Sequence, residues 1–184
     1  MRIDDRGVAQ DARQCPSPNC DARPAGCRVS LLVVHAISLP PGVYGGDSIE
    51  RLFTNRLDPD THPYFREIAA LRVSAHFLLR RDGEIVQFVP VLSRAWHAGV
   101  SNWRGGSSCN DASVGVEFEG AEGERFAPVQ YLRFAALTRS LQRALPIRNI
   151  AAHGDIAPGR KSDPGAGFEW ERVFRALAER PATQ

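Results

Sequence analysis

The sequence predicts an α+β fold: a single domain with a mixed central β-sheet flanked by α-helices. Three observations point there. Two short apolar runs each end in a histidine, at Val29–Val34 before His35 and at Ile147–Ala152 before His153. Two chain segments flank an Asp-Gly turn as a hairpin does, and two stretches with helical periodicity follow Pro128 and Trp170. A length of 184 residues suits one domain able to bury its own core.

In chain order, residues 1–28 carry Pro16, Pro18, Pro24 and Gly26 among polar residues, which predicts an irregular arm without helix lying over the domain. The domain proper is expected to span 29–180. Val29–Val34 reads as a buried strand. After Leu39-Pro40-Pro41-Gly42, Asp47 is placed to cap a short helix through Phe53, with Glu50 completing a capping box. Val73–Arg80 and Glu84–Val89 form the hairpin about Arg81-Asp82-Gly83.

Ser113–Glu119 alternates, with Val114, Val116 and Phe118 on one face and Gly115, Glu117 and Glu119 on the other. Two carboxylates thus share a strand face. Pro128 opens the longest helix, whose apolar positions are read as Val129, Leu132, Ala136 and Leu141 and which stops at Pro146. Ile147–Ala152 is the second buried strand. A Pro/Gly-rich loop from Gly154 to Gly167 holds Lys161 and Asp163, and Trp170, Val173, Phe174 and Leu177 mark a last helix ending before Pro181.

Composition excludes several classes. Net charge is +2, with Lys and Arg interspersed among Asp and Glu, so no nucleic-acid partner is expected. No run approaches the ~18 apolar residues of a membrane span. The polar start Met-Arg-Ile-Asp-Asp-Arg lacks an apolar leader, which sets the expectation of a cytoplasmic protein, and a monomer is the default. Cys15, Cys20, Cys27 and Cys109 are read as free thiols, because a reducing compartment and an adequate core remove the need for crosslinks.

Of the five histidines, His35 and His153 directly terminate apolar runs. If those runs are neighbouring strands, both imidazoles meet at one sheet edge, where two nitrogen ligands can hold Zn2+. Asp163 is a candidate third ligand, since its loop leaves His153 and can fold back; His-His-carboxylate is a catalytic zinc set. Glu117 is either one of a row of carboxylates on an exposed edge or a general base for water; Lys161 is a candidate to stabilise an oxyanion. Ser107, Ser108 and Cys109 lack the strand-to-helix elbow of a nucleophile, and no phosphate-binding glycine loop is present.

Longer matches then become visible. They include Cys-Pro-Ser-Pro-Asn at 15–19, Ile-Ser-Leu-Pro-Pro-Gly at 37–42, His-Pro-Tyr-Phe at 62–65, Leu-Arg-Val-Ser-Ala-His at 71–76 and Arg-Arg-Asp-Gly-Glu-Ile at 80–85. Arg-Ala-Trp-His-Ala-Gly-Val-Ser at 94–101, Cys-Asn-Asp at 109–111, Val-Gly-Val-Glu-Phe-Glu-Gly at 114–120, Asp-Ile-Ala-Pro at 155–158 and Arg-Lys-Ser-Asp-Pro-Gly at 160–165 continue the series. From Cys15 to Leu177 the chain resembles the N-acetyl-anhydromuramyl-L-alanine amidases of the AmpD family.

That resemblance implies a fold shared with peptidoglycan recognition proteins, zinc held by His35, His153 and Asp163, Glu117 as catalytic acid/base and Lys161 as second catalytic residue. It implies a muropeptide substrate, cell-wall recycling and a bearing on β-lactamase induction; hydrolysis by zinc, Glu117 and Lys161 needs no organic cofactor. Arg72 matches a residue expected to meet a ligand carboxylate, against the plainer reading of a surface charge. Trp96 matches one expected to line the groove, against ordinary packing, while His76 and His97 are read as packing or supporting residues. The alternative from another class is a muropeptide-binding module without catalysis. Ala36, where the family usually has asparagine, and Gly105-Gly106-Ser107, where it often has Gly-Arg-Glu, depart from the pattern.

Overall fold

In the computed structural model, which describes residues 1–179, the two apolar runs that end in histidine lie side by side. Strand β1 (Arg13–Gln14), β2 (Cys20–Ala22) and β3 (Leu31–Ile37) are followed by helices α1 (Ser48–Phe53) and α2 (Pro63–Ile68). Then come β4 (Phe77–Leu79), β5 (Ile85–Gln87), β6 (Ser93–Ala95), β7 (Asn102–Trp103), β8 (Gly106–Ser107) and α3 (Cys109–Ala112). The remaining elements are β9 (Ser113–Glu119), α4 (Pro128–Ala144), β10 (Asn149–Ala152), α5 (His153–Ile156) and α6 (Trp170–Ala178).

The main sheet has six strands in the order β1-β5-β4-β9-β3-β10. It is mixed: β3 pairs in parallel with β9 and β10, β4 with β9 in parallel, and β4 with β5 antiparallel. β9 is therefore an interior strand with every residue buried, so the exposed-edge reading of its carboxylates does not hold. The first run extends past His35 to Ile37, which puts that histidine inside a strand rather than at its end. The second begins at Asn149, and His153 opens a short helix.

Side-chain alternation sorts the core into two sides. Leu32, Val34, Val114, Val116 and Phe118 face α4 and α6, where Phe118 sits with Phe134 and Phe168 at centroid distances of 5.1 and 5.0 Å. Such edge-to-face pairs add ~0.5–1.5 kcal/mol each beyond burial. Leu78, Val86 and Phe88 face the other way, against Ile49, Leu52 and Phe53 of α1 and Phe65 of α2.

The α4 stripe differs from expectation. Tyr131, Phe134, Leu137 and Leu141 are buried, while Leu132 is exposed. The helix is rotated so that its aromatic residues meet Phe118, and Gln130 is drawn inward to donate to the carbonyls of Leu79 (2.9 Å) and Glu119 (3.1 Å). These two bonds tie Gln130, in the first turn of α4, to β4 and β9. In α6, Val173 and Ala176 are buried and Phe174 is exposed. The helix ends at Ala178; Pro181 and the expected boundary at 180 lie outside the described residues.

Residues 1–28 hold no helix, but they are not irregular throughout: β1 extends the main sheet beside β5, and β2 pairs antiparallel with β6. Arg23 anchors this arm by donating to the carbonyls of Asp111 (2.6 Å) and Ser113 (2.8 Å). All four cysteines are free thiols.

The expected capping box at α1 is absent. Asp47 makes no cap hydrogen bond and accepts from Arg51 Nε instead, while Glu50 pairs with Arg13 and Arg80, each at 2.6 Å. Two guanidiniums offer stronger charge-assisted bonds than a neutral backbone N–H. The bond from Arg13, with the further one from Arg80, holds the Glu50 carboxyl at about 2. Arg80 also donates to Glu119 Oε1 at 3.0 Å, and Glu119 receives Gly45 N (2.7 Å) and Arg81 N (3.1 Å) as well.

Arg80 and Glu119 have side chains only 9% and 3% exposed, so removing one partner strands a buried charge. Arg80→Ala is expected to cost about 3 kcal/mol in urea unfolding. A loss below about 1 kcal/mol, the size of an exposed pair, contradicts this reading.

Candidate metal centre and cleft

Parallel register brings the donors together. His35 on β3 stands opposite Glu117 on β9, and the next β10 pairing, Val34 with Ala152, leaves His153 one residue beyond. The 157–169 loop returns to the strand end through a bond from Gly154 N to the Asp163 carbonyl at 3.0 Å. His35 Nδ1, His153 Nδ1 and Asp163 Oδ2 are then mutually 3.0, 3.1 and 3.3 Å apart, and all three side chains are buried.

These separations fit a small divalent cation. Three tetrahedral ligands ~2.0–2.1 Å from an ion lie roughly 3.3 Å from one another. Protonation also fits: burial, opposed by Asp163 and reinforced by His153, brings His35 down to about 4, so its imidazole is neutral at pH 7 as a ligand must be. Burial works against the Asp163 charge, yet the His153 and His35 imidazoles packed against it hold its carboxyl below the usual range. Each histidine has its far nitrogen engaged: His35 Nε2 lies 2.9 Å from His97 Nδ1, and His153 Nε2 lies 3.1 Å from the Ala98 carbonyl.

The centre opens into a cleft of about 550 Å3. Its apolar wall includes Leu39, Phe53, Tyr64 and Ile68, and its polar end carries His35, His153, Asp163, Glu117 and Lys161. Glu117 is 9% exposed, and its Oε2 has no hydrogen-bond partner among the described residues. Burial pushes its carboxyl well above the ordinary value; Asp163 adds to this and Lys161 opposes it. Lys161 is exposed at the cleft. The two carboxylates of one strand face are thus treated oppositely: Glu119 is paired and Glu117 is not.

Trp96 is half-buried and lines the cleft, as does Ala36. Arg72 is exposed, does not line the cleft, and turns back to donate to the Ala70 carbonyl at 3.1 Å. Gly105 lies at φ +83° in the turn joining β7 and β8, away from the cleft lining, with the Arg104 guanidinium over Trp103. His62 caps α2 and His76 accepts from Gly115 N at 3.0 Å.

His97 stands behind His35 in the supporting position expected of it. A Cβ at Gly115 would lie 2.5 Å from its ring, so the bare backbone there makes room for it. A glycine within a strand signals such a close approach, and Gly115 was legible in that way.

A family model described as N-acetylmuramoyl-L-alanine amidase matches residues 25–166. The chain belongs to the N-acetylmuramoyl-L-alanine amidase family. A relative within the amidases, the 1,6-anhydro-N-acetylmuramyl-L-alanine amidase AmpD of Salmonella typhimurium strain SL1344, is 55% identical over 177 residues, covering 95% of this chain and 94% of that one. A crystal structure of an AmpD derivative matches this amidase fold with a TM-score of 0.94 at 51% identity, covering 96% of this chain and 99% of that one. The amidase AmiD from E. coli, solved as a complex with the substrate anhydro-N-acetylmuramic acid-L-Ala-D-gamma-Glu-L-Lys, matches with a TM-score of 0.59 at 28% identity, over 95% of this chain and 62% of that one.

An unpartnered buried carboxylate costs stability. Because the folded-state pKa of Glu117 lies above its unfolded value, its neutral form is tolerated at low pH and the cost appears as pH rises. In metal-free protein, Glu117→Gln should therefore gain about 1 kcal/mol over the native chain in urea unfolding at pH 7, with the difference shrinking below about pH 4.5. A Gln variant less stable at both pH values contradicts it.

Proposed function

We propose that this amidase hydrolyses the amide between the lactyl group of 1,6-anhydro-N-acetylmuramic acid and L-alanine, using Zn2+ held by His35, His153 and Asp163. The observation that carries the reading is the buried, unpartnered carboxyl of Glu117 beside three converging donors at the head of a cleft. Support for the substrate comes from the AmpD relative, whose name specifies it, and from the AmiD complex.

Zn2+ bound there supplies the positive charge that polarises an amide carbonyl and acidifies water. Glu117, its pKa raised by burial, takes a proton from the attacking water and returns it to the alanine nitrogen, which leaves as an amine. The cost of leaving its Oε2 unpartnered is what keeps that atom ready as acceptor. Lys161, free at the cleft, faces the carbonyl oxygen as negative charge develops on it. The apolar wall of Leu39, Phe53 and Ile68 with Trp96 holds the sugar and peptide, and Arg72, on the rim side near Leu71 and Val73, swings from its backbone partners to meet a substrate carboxylate.

No helix among the described residues is long and apolar enough to cross a membrane. We place the enzyme in the cytoplasm as a monomer, where it serves muropeptide recycling.

Zinc-loaded protein incubated with 1,6-anhydro-N-acetylmuramyl tripeptide should release free peptide, read by mass spectrometry. Glu117→Ala should lower that rate by at least about 100-fold, and chelator should abolish it reversibly. Tight binding without release points instead to a recognition module, and neither binding nor release overturns the substrate assignment.

A further inference from the structure

The hydrogen bonds behind the two histidine donors run in one direction only, and both end on backbone carbonyls. Ser113 Oγ lies 2.5 Å from the carbonyl of Cys109, which can only accept, so the single hydroxyl proton is committed there. Ser113 Oγ must then accept from His97 Nε2, 3.1 Å away, which leaves His97 Nδ1 without a proton. His97 Nδ1 in turn must accept from His35 Nε2 at 2.9 Å. His35 Nδ1 is left as a bare lone pair facing Asp163 and His153. For His153 the route is shorter: its Nε2 faces the Ala98 carbonyl at 3.1 Å, so its proton sits on Nε2 and its Nδ1 is bare as well.

Both routes pass through the dipeptide His97-Ala98. Asn110 pins that dipeptide, because one side-chain oxygen accepts from His97 N (3.1 Å) and Ala98 N (2.8 Å) together. Two N–H groups aimed at one atom identify it as the amide oxygen. Gly115 completes the seat by leaving bare strand beneath the His97 ring.

We propose that Asn110 and His97 are positioning residues that fix the tautomer and orientation of both histidine donors, leaving both Nδ1 lone pairs aimed at one point before any cation arrives. The proposal rests on reading His35, His153 and Asp163 as the metal centre. Neither residue touches the reacting atoms; Asn110 acts through the backbone of His97-Ala98, and His97 acts through His35. The acceptor behind His35 is the imidazole of His97, which orients the ring without adding negative charge behind the ligand.

The test uses full-length protein in three measurements. Imidazole nitrogen NMR on the metal-free protein reads the tautomers, chelator competition reads zinc affinity, and urea unfolding reads stability. Native protein should carry the His35 and His153 protons on Nε2. His97→Phe should mix the His35 tautomers, and His97→Phe and Asn110→Leu should each lose ~10–100-fold in zinc affinity. His97→Gln, which can accept from His35 and donate to Ser113, and Asn110→Asp, which keeps the acceptor, should retain most of it. If the larger changes prevent folding, Ser113→Ala removes only the hydroxyl and should mix the tautomers of His35 while leaving His153 unchanged.

Nδ1-protonated His35 or His153 in native protein overturns the proposal, as do folded His97→Phe and Asn110→Leu proteins with native zinc affinity. Tautomers as stated, in a native protein that binds no zinc, support the positioning role and overturn the metal reading instead.

Discussion

The parallel register of β10, β3 and β9 is the constraint on which the cleft rests. With Val34 opposite both Ala152 and Val116, His35 falls beside Glu117, and His153 follows as the chain leaves β10. A slip of one residue in either pairing would turn those side chains to the opposite face, into the layer of α4 and α6. Register is protected because the alternate residues, Leu32, Val34, Val114, Val116 and Phe118, are wholly buried against those helices. The apolar face of the sheet thus fixes the polar one, and the packing free energy of one side positions the donors on the other.

On that polar face, the same strand carries charge under two regimes. Glu119 has Arg80 and two backbone N–H groups, and through Arg80 it joins Glu50 and Arg13, which tie α1 and β1 to the sheet. Glu117, two residues earlier, has a buried oxygen with no partner. A buried carboxyl left unsatisfied is costly, and no contact among the described residues offsets that cost for Glu117 beside the donor triad. Around it, Glu119 is fixed by Arg80, Gly45 N and Arg81 N, and the His97 ring is seated over Gly115.

Much of this is legible in the sequence. The apolar runs before His35 and His153 foretold their meeting, because adjacent parallel strands carry both to one end of the sheet, although His35 lies within β3 and His153 opens α5. Strand alternation put Glu117 and Glu119 on one face. Their different fates were not legible, since they depend on Arg80, which lies far away in sequence and reaches Glu119 only after β4 and β9 pair. The same limit explains α1, where Glu50 had the spacing of a cap but was taken by Arg13 and Arg80, and α4, where Gln130 and the aromatic residues set the rotation. β1 was hidden because two residues carry no periodicity; only its neighbour β5 makes it a strand. Asn110 and His97 were invisible as a pair because their link is a side chain to a backbone, which no pattern of residue types encodes.

Whether the three donors hold zinc as drawn is decided by a crystal structure of the zinc-loaded protein with anomalous diffraction at the zinc edge. One ion is expected ~2.0–2.2 Å from His35 Nδ1, His153 Nδ1 and an Asp163 carboxylate oxygen, with Glu117 free of the ion. An ion held through either histidine's Nε2, or taking Glu117 in place of Asp163, would contradict it.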